Sequence, residues 1–234
     1  MNTDHALVFT FDGDAHSGLP PARELCAALQ RVVASAGVDQ VEVFAPHPEH
    51  ARLELFGDGA PPFTIVECRA GAPAPLLRLV GDPGWRHALA SAGAPERWRA
   101  GLFSVVSEPV PEPVPEPIPV HRANGAAPVA LVVHYYGPTD NPAAFAAHYV
   151  AHHPATLAQL PRVREVLCYV PTGERLAGRR ADPTVIRNEV RFDSMDDLLD
   201  SLRSPAMRAV SADAKAFPRF GRSTHYPMER LAIG

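Results

Sequence analysis

The chain has 234 residues, 46% of them hydrophobic and 21% charged, with a formal net charge of −4. That balance describes a globular chain with enough apolar residues for a core, and it lacks the basic excess of a nucleic-acid binder. There is no apolar run near the ~18 residues of a membrane span and no basic, apolar signal-peptide start, and Cys26, Cys68 and Cys168 form no CxxC, so a cytoplasmic protein with no membrane partner is expected.

In chain order, Ala6 to Phe11 is rich in strand formers. Pro20 or Pro21 can open a helix, where a missing N–H does no harm. Leu25, Ala28, Leu29, Val32 and Val33 follow at helical spacing, and Gly37 ends the run. Gln40 to Phe44 and Phe63 to Cys68 read as strands. Ala74 to Ala92 reads as a helix interrupted at Gly81-Asp82-Pro83-Gly84, and Gly101 to Val106 as a further strand. From Pro109 to Pro119 every second residue is proline. Such a run has few backbone donors and fixed φ angles, so it is an extended tether. Pro-rich recognition motifs usually carry flanking basic residues, which are missing here.

The order then repeats. Val129 to Tyr136 is a strand, and Asn141 caps a helix that starts at Pro142 and runs towards His153. Val163 to Val170 and Asn188 to Phe192 are strands. Ser194 caps a helix carrying Leu198, Leu199 and Leu202, Ser204-Pro205 interrupts it, and Ala206 to Ala216 resumes. Ser223 to Met228 is the last strand. Short segments also echo each other. Asp82-Pro83-Gly84-Trp85-Arg86-His87 matches Ser204-Pro205-Ala206-Met207-Arg208-Ala209 at an offset of 122 (204 minus 82), which places Phe103 on His225. Ala6 to Phe11 matches Leu131 to Tyr136 at an offset of 125 (131 minus 6). The expectation is an α+β fold of two tandem ferredoxin-like βαββαβ domains, 1–108 and 128–234, joined by the Pro-rich linker 109–127. Their sheets would pair into an intrachain α/β barrel. An exposed strand edge is then the route to a homodimer of such pseudo-dimers.

Phe145, Tyr149 and His153, followed by Leu160-Pro161, fall in one register. Further on stand Phe192-Asp193-Ser194-Met195-Asp196-Asp197-Leu198, Leu202-x-Ser204-Pro205, and Asp213 to Phe217. In these motifs the second half resembles the EthD family of the dimeric α/β-barrel superfamily. It departs from the pattern at His148, where the family has an aromatic residue, at Pro154, one residue early, and at Arg162, where the family has glycine. The resemblance implies a small apolar cavity between helices and sheet. It also implies chemistry of the kind seen in cofactor-free cyclases, quinone-forming monooxygenases and muconolactone isomerases. No organic cofactor is expected.

His153 is the leading catalytic candidate, because imidazole exchanges protons near neutral pH. Placed just before Pro154, at a helix C-terminus, its charged form would be favoured. Its other reading is a structural cap. Tyr149, one turn earlier, can orient a substrate oxygen or simply pack in the core. His134 is the third catalytic candidate. With Tyr136 it is placed on the helix-facing side of its strand, lining the same cavity as Tyr149. The corresponding first-half positions are Phe9 and Phe11. Tyr136, Asn188, His225 and Phe145 are the candidate substrate contacts. His148 and His152 have a metal-ligand spacing, but two ligands without a third leave no metal site expected. The expected function is acid/base chemistry (cyclisation, isomerisation or oxygenation) on a small, hydrophobic, oxygenated cyclic or aromatic metabolite. The alternatives are a non-catalytic carrier or accessory protein for such a molecule, and a structural pseudo-dimer with filled clefts.

Overall fold

The computed structural model describes residues 4–12, 29, 37–49, 61–91, 98–111, 127–176 and 180–232. Most of the first expected helix, from Pro20 or Pro21 to Gly37, lies outside the described residues, as does most of the Pro-rich linker. The described elements are β1 (Asp4–Phe11), β2 (Gln40–Pro46), β3 (Thr64–Ala70), α1 (Pro73–Gly81), α2 (Pro83–Ser91), β4 (Trp98–Glu108), β5 (Val129–Tyr136), α3 (Pro142–Leu157), β6 (Glu165–Pro171), β7 (Arg180–Ala181), β8 (Thr184–Phe192), α4 (Met195–Arg203), α5 (Met207–Ala214) and β9 (Arg222–Ala232).

Eight strands close into an antiparallel barrel in the order β1-β3-β2-β9-β5-β8-β6-β4, with β4 returning to β1. The two-residue β7 lies parallel to β4. Strands β4-β1-β3-β2 form one half of the barrel and β9-β5-β8-β6 the other. The seams are β2–β9 and β4–β6, both antiparallel. Each barrel strand therefore has a neighbour on both sides, and the free edge expected to carry homodimerisation is absent among the described residues.

Alternation sorts side chains into an interior and two helix-facing layers. Leu7, Phe9 and Phe11 of β1 pack outward with Leu76, Leu79 and Trp85 of α1 and α2. Val129, Leu131, Val133 and Tyr135 of β5 pack outward with Phe145, Tyr149, Leu198 and Val210 of α3, α4 and α5. Ala6, Val8, Phe44, Ile65, Phe103, Ala130, Val132, Leu167, Tyr169 and Met228 fill part of the barrel interior.

The rest of that interior is ionic. Glu67 of β3 accepts from Tyr169 Oη at 2.7 Å, Arg187 Nη1 at 2.8 Å and Arg69 Nε at 2.8 Å. Glu42 of β2 accepts from Arg69 Nη2 at 2.8 Å, from Arg191 Nη2 at 2.6 Å and from Arg230. Glu189 binds both Arg187 and Arg191. The Arg187 guanidinium also lies 4.3 Å from the centre of the Tyr169 ring. The Arg187-x-Glu189-x-Arg191 alternation on β8 puts these charges on one face. Their partners on β2 and β3 belong to the other half of the barrel, so the network spans the interior. Burial opposes ionisation of Glu42 and Glu189, but the surrounding arginines hold both carboxyls low. Glu67 goes the other way, pushed up by burial and by the neighbouring Glu189.

Most expected elements appear within a few residues, and Asn141 and Ser194 cap their helices as expected, each accepting from a backbone N–H three residues on. Helix α3 differs. It does not end before Pro154 but continues to Leu157, with Ala158 N donating to Pro154 O at 2.8 Å. The proline costs the bond to the residue four back, yet the turn on either side is kept. His153 is therefore inside the helix.

Candidate functional site

A cavity of about 160 Å³ lies between the second-half sheet and its helices. Its floor comes from Leu131, Val133 and Tyr135 of β5 and from Asn188, Val190 and Phe192 of β8, alternate residues of neighbouring strands. Its walls are apolar, among them Leu157, Leu160, Leu202, Met207 and Val210. His153, Asn188, His225 and Ser211 supply the polar lining. Val133 pairs with Asn188 on one side and with His225 on the other. Asn188, Val133 and His225 thus form one row across three strands.

His153 hangs over this cavity from α3. Its Nδ1 lies 2.6 Å from Asp213 Oδ2 on α5. With Asp213 as the acceptor Nδ1–H donates, which in the neutral ring leaves Nε2 its lone pair. His153 is 4% exposed. Burial lowers its pKa below the ordinary 6.5, against the raising influence of the Asp213 hydrogen bond and charge. This reverses the expected effect of a helix C-terminus: the residue sits within the helix, and burial dominates. Nor is its ring a cap, since it bonds a side chain on another helix. A neutral imidazole oriented by a carboxylate is the arrangement of a general base.

Asn188 is 1% exposed and its amide oxygen has no donor among the described residues. Such an orphaned acceptor is costly unless a ligand or water supplies a proton. His225 is half-buried and close enough to His153 to disfavour protonation of its ring.

Four candidates, Tyr149, Phe145, His134 and Tyr136, do not line the cavity. Tyr149 and Phe145 are fully buried in an aromatic cluster with Tyr135 and Phe217. The Tyr149 ring centre is 4.9 Å from that of His153, so it buttresses the imidazole. Burial, with Tyr135 beside it, pushes the Tyr149 phenol well above its ordinary range. It stays neutral.

His134 and Tyr136 lie on the opposite face of β5, inside the barrel. Val133 and Tyr135 take the helix side that the sequence reading gave to them. The cause is register: a one-residue slip moves every side chain to the other face. Matching Ala6–Phe11 to Leu131–Tyr136 sets helix-facing Phe9 against interior His134. The same slip separates Phe103, which faces the interior, from His225, which faces the cavity. The contrast drawn between apolar and polar positions of the two halves therefore compares different faces. His134 is 1% exposed with neither ring nitrogen partnered among the described residues, and burial followed by Arg187 and Arg99 pushes its pKa well below normal. Tyr136 stacks on it at 5.9 Å, with the Arg222 guanidinium 4.7 Å from the phenol ring centre.

His148 and His152 stack at 4.6 Å, and His152 Nδ1 donates to His148 O at 2.8 Å. Among the described residues there is no group of three or more His, Cys, Asp or Glu side chains arranged to hold a metal ion. Asp213, the partner of His153, had no assigned role in the sequence. It opened the Asp213–Phe217 motif, but nothing in its spacing linked it to a histidine 60 residues earlier.

No family model and no curated protein matches the chain. Solved structures do. An anthrone oxidase-like protein aligns over 100% of this chain and 94% of its own, with 12% identity and a TM-score of 0.62. A provisionally assigned monooxygenase from Fusobacterium nucleatum aligns over 98% and 93%, with 10% identity and a TM-score of 0.58. An EthD-family protein from Bacillus halodurans covers 42% of this chain and 95% of its own, at 20% identity and a TM-score of 0.35. At these identities the full-length matches establish the fold alone: the chain is an α+β protein with a closed antiparallel barrel, similar to these two full-length neighbours.

Proposed function

We propose that the protein is a small enzyme without an organic cofactor that uses His153 as a general base on a small oxygenated cyclic or aromatic metabolite. The observation that carries this reading is the 2.6 Å His153–Asp213 pair at an apolar cavity. Nε2 would take a proton from an acidic C–H or O–H of the substrate. Asp213 would hold the ring and stabilise the imidazolium that forms. The resulting enolate or phenolate would lie in a site that excludes water, where hydrogen bonds to it are strong. Proton removal of this kind begins cyclisation and isomerisation, and with dioxygen as co-substrate it begins oxygenation. The names of the full-length structural neighbours fit the last of these. The EthD motifs of the second half and the repeated order of strands in the two barrel halves support descent from a duplicated EthD-like unit. A homodimer of this barrel would join helical faces, because every barrel strand is already paired on both edges.

The test is turnover of a panel of phenols, anthrones and lactones by the wild type and His153→Ala. A loss of about 10²–10⁴-fold in rate, with folding and ligand binding retained, is the expected result for a general base. Undiminished turnover by the variant would remove His153 from the mechanism. Ligand binding without turnover by the wild type itself would establish the carrier reading instead.

A further inference from the structure

We propose that the ligand of this cavity is a single aromatic ring with oxygen substituents at its two ends, one of them a hydroxyl that donates to Asn188. The proposal rests on the cavity assigned above and adds the class of molecule that fills it. Three observations carry it. The first is size. A cavity of about 160 Å³ is close to the ~150 Å³ apolar cavity that takes up benzene in another protein. One ring fills that volume. The second is the wall chemistry. Leu131, Val133, Val190, Phe192, Leu157 and Val210 offer faces for a flat apolar body.

The third is the placement of the polar groups. Asn188 and His225 stand on β8 and β9, each paired to Val133 of the strand between them. Two strand spacings separate them, about 10 Å, with Val133 between them. His153 stands with His225 at one end. Asn188, at the other, presents an acceptor without a donor. A ligand hydroxyl there satisfies that oxygen, and an oxygen at the far end of the ring meets the histidines. A hydroquinone matches this arrangement of acceptor, apolar middle and base. Benzene leaves Asn188 unsatisfied, and a tricyclic anthrone has to extend beyond the ~160 Å³ volume.

Binding of hydroquinone, benzene and anthrone to the wild type and to Asn188→Leu, measured anaerobically by calorimetry or ligand-observed NMR, tests this. Wild-type affinity should follow the order hydroquinone, benzene, anthrone. Asn188→Leu should weaken hydroquinone about fivefold to tenfold, the worth of one hydrogen bond, and leave benzene unweakened. Wild-type preference for anthrone, failure to bind hydroquinone, or equal losses for hydroquinone and benzene would each overturn the proposal. The wild-type ranking stands as a test even if the variant does not fold. Because binding is read without turnover, failure here leaves the His153 mechanism standing. Normal turnover by His153→Ala would in turn leave the ligand class standing.

Discussion

In the proposed mechanism a single neutral imidazole is the base. His153 keeps its basic nitrogen because Nδ1–H is committed to Asp213 and because burial outweighs the carboxylate's pull on the ring pKa. The sign follows directly. A folded-state pKa below 6.5 keeps the base unprotonated at neutral pH, and protonation takes over only further down. Turnover should therefore hold through pH 7 and fall on an acid limb centred below pH 6.5, which a pH–rate profile would show. Stability follows the same direction. The unfolded chain takes up the proton first, so the contribution of this residue is full above pH 6.5 and is lost as pH falls through the folded pKa. The sequence made His153 legible as a titrating group in the right motif. It could not show Asp213 opposite, because that partnership depends on how α3 packs against α5. Arg162 has φ 64°, in the left-handed region that glycine adopts without strain.

At the level of elements, what the sequence showed and what it hid divide along one line. Periodicity, caps and breakers depend on neighbours in the chain, and they placed most of the described strands and helices. Strand facing depends on the partner, and a one-residue offset turned His134 and Tyr136 inward. The end of α3 was misplaced for a related reason. Pro154 removes one hydrogen bond, but burial of Leu157 and the Ala158–Pro154 bond keep the helix going. The start of β9 shows what fixes the floor of the site. Gly221 N donates to Tyr136 O at 2.9 Å, and a Cβ on Gly221 would sit 2.1 Å from the Gly137 carbonyl oxygen. Only glycine allows β9 to begin this close to the end of β5, four residues before His225. Gly221→Ala should cost about 1–3 kcal/mol through this overpacking, read as a lowered denaturation midpoint with an unchanged m-value.

At the scale of the whole molecule, a charged network that an apolar-core reading of the sequence passes over spans the barrel interior. Barrel closure was foreseeable from two sheets each needing cover for one face. The charged lining was not, because Glu42, Glu67 and Arg69 are far in sequence from Arg187, Glu189, Arg191 and Arg230. Glu42 alone joins arginines on β3, β8 and β9. Glu42→Ala would leave those cations buried with one fewer anion, and the loss should be about 3–5 kcal/mol, measurable by urea denaturation. An isosteric Glu42→Gln variant should also be destabilised. Unchanged stability in both would mean that the network does not stabilise the barrel.

The central claim, a neutral base oriented by Asp213 towards an apolar cavity, is tested most directly by an NMR titration of His153 with nitrogen-labelled protein. The account predicts a proton on Nδ1, a lone pair on Nε2 and a pKa below 6.5 that falls further in Asp213→Asn. A His153 that titrates at or above 6.5, or that is indifferent to Asp213, would contradict it.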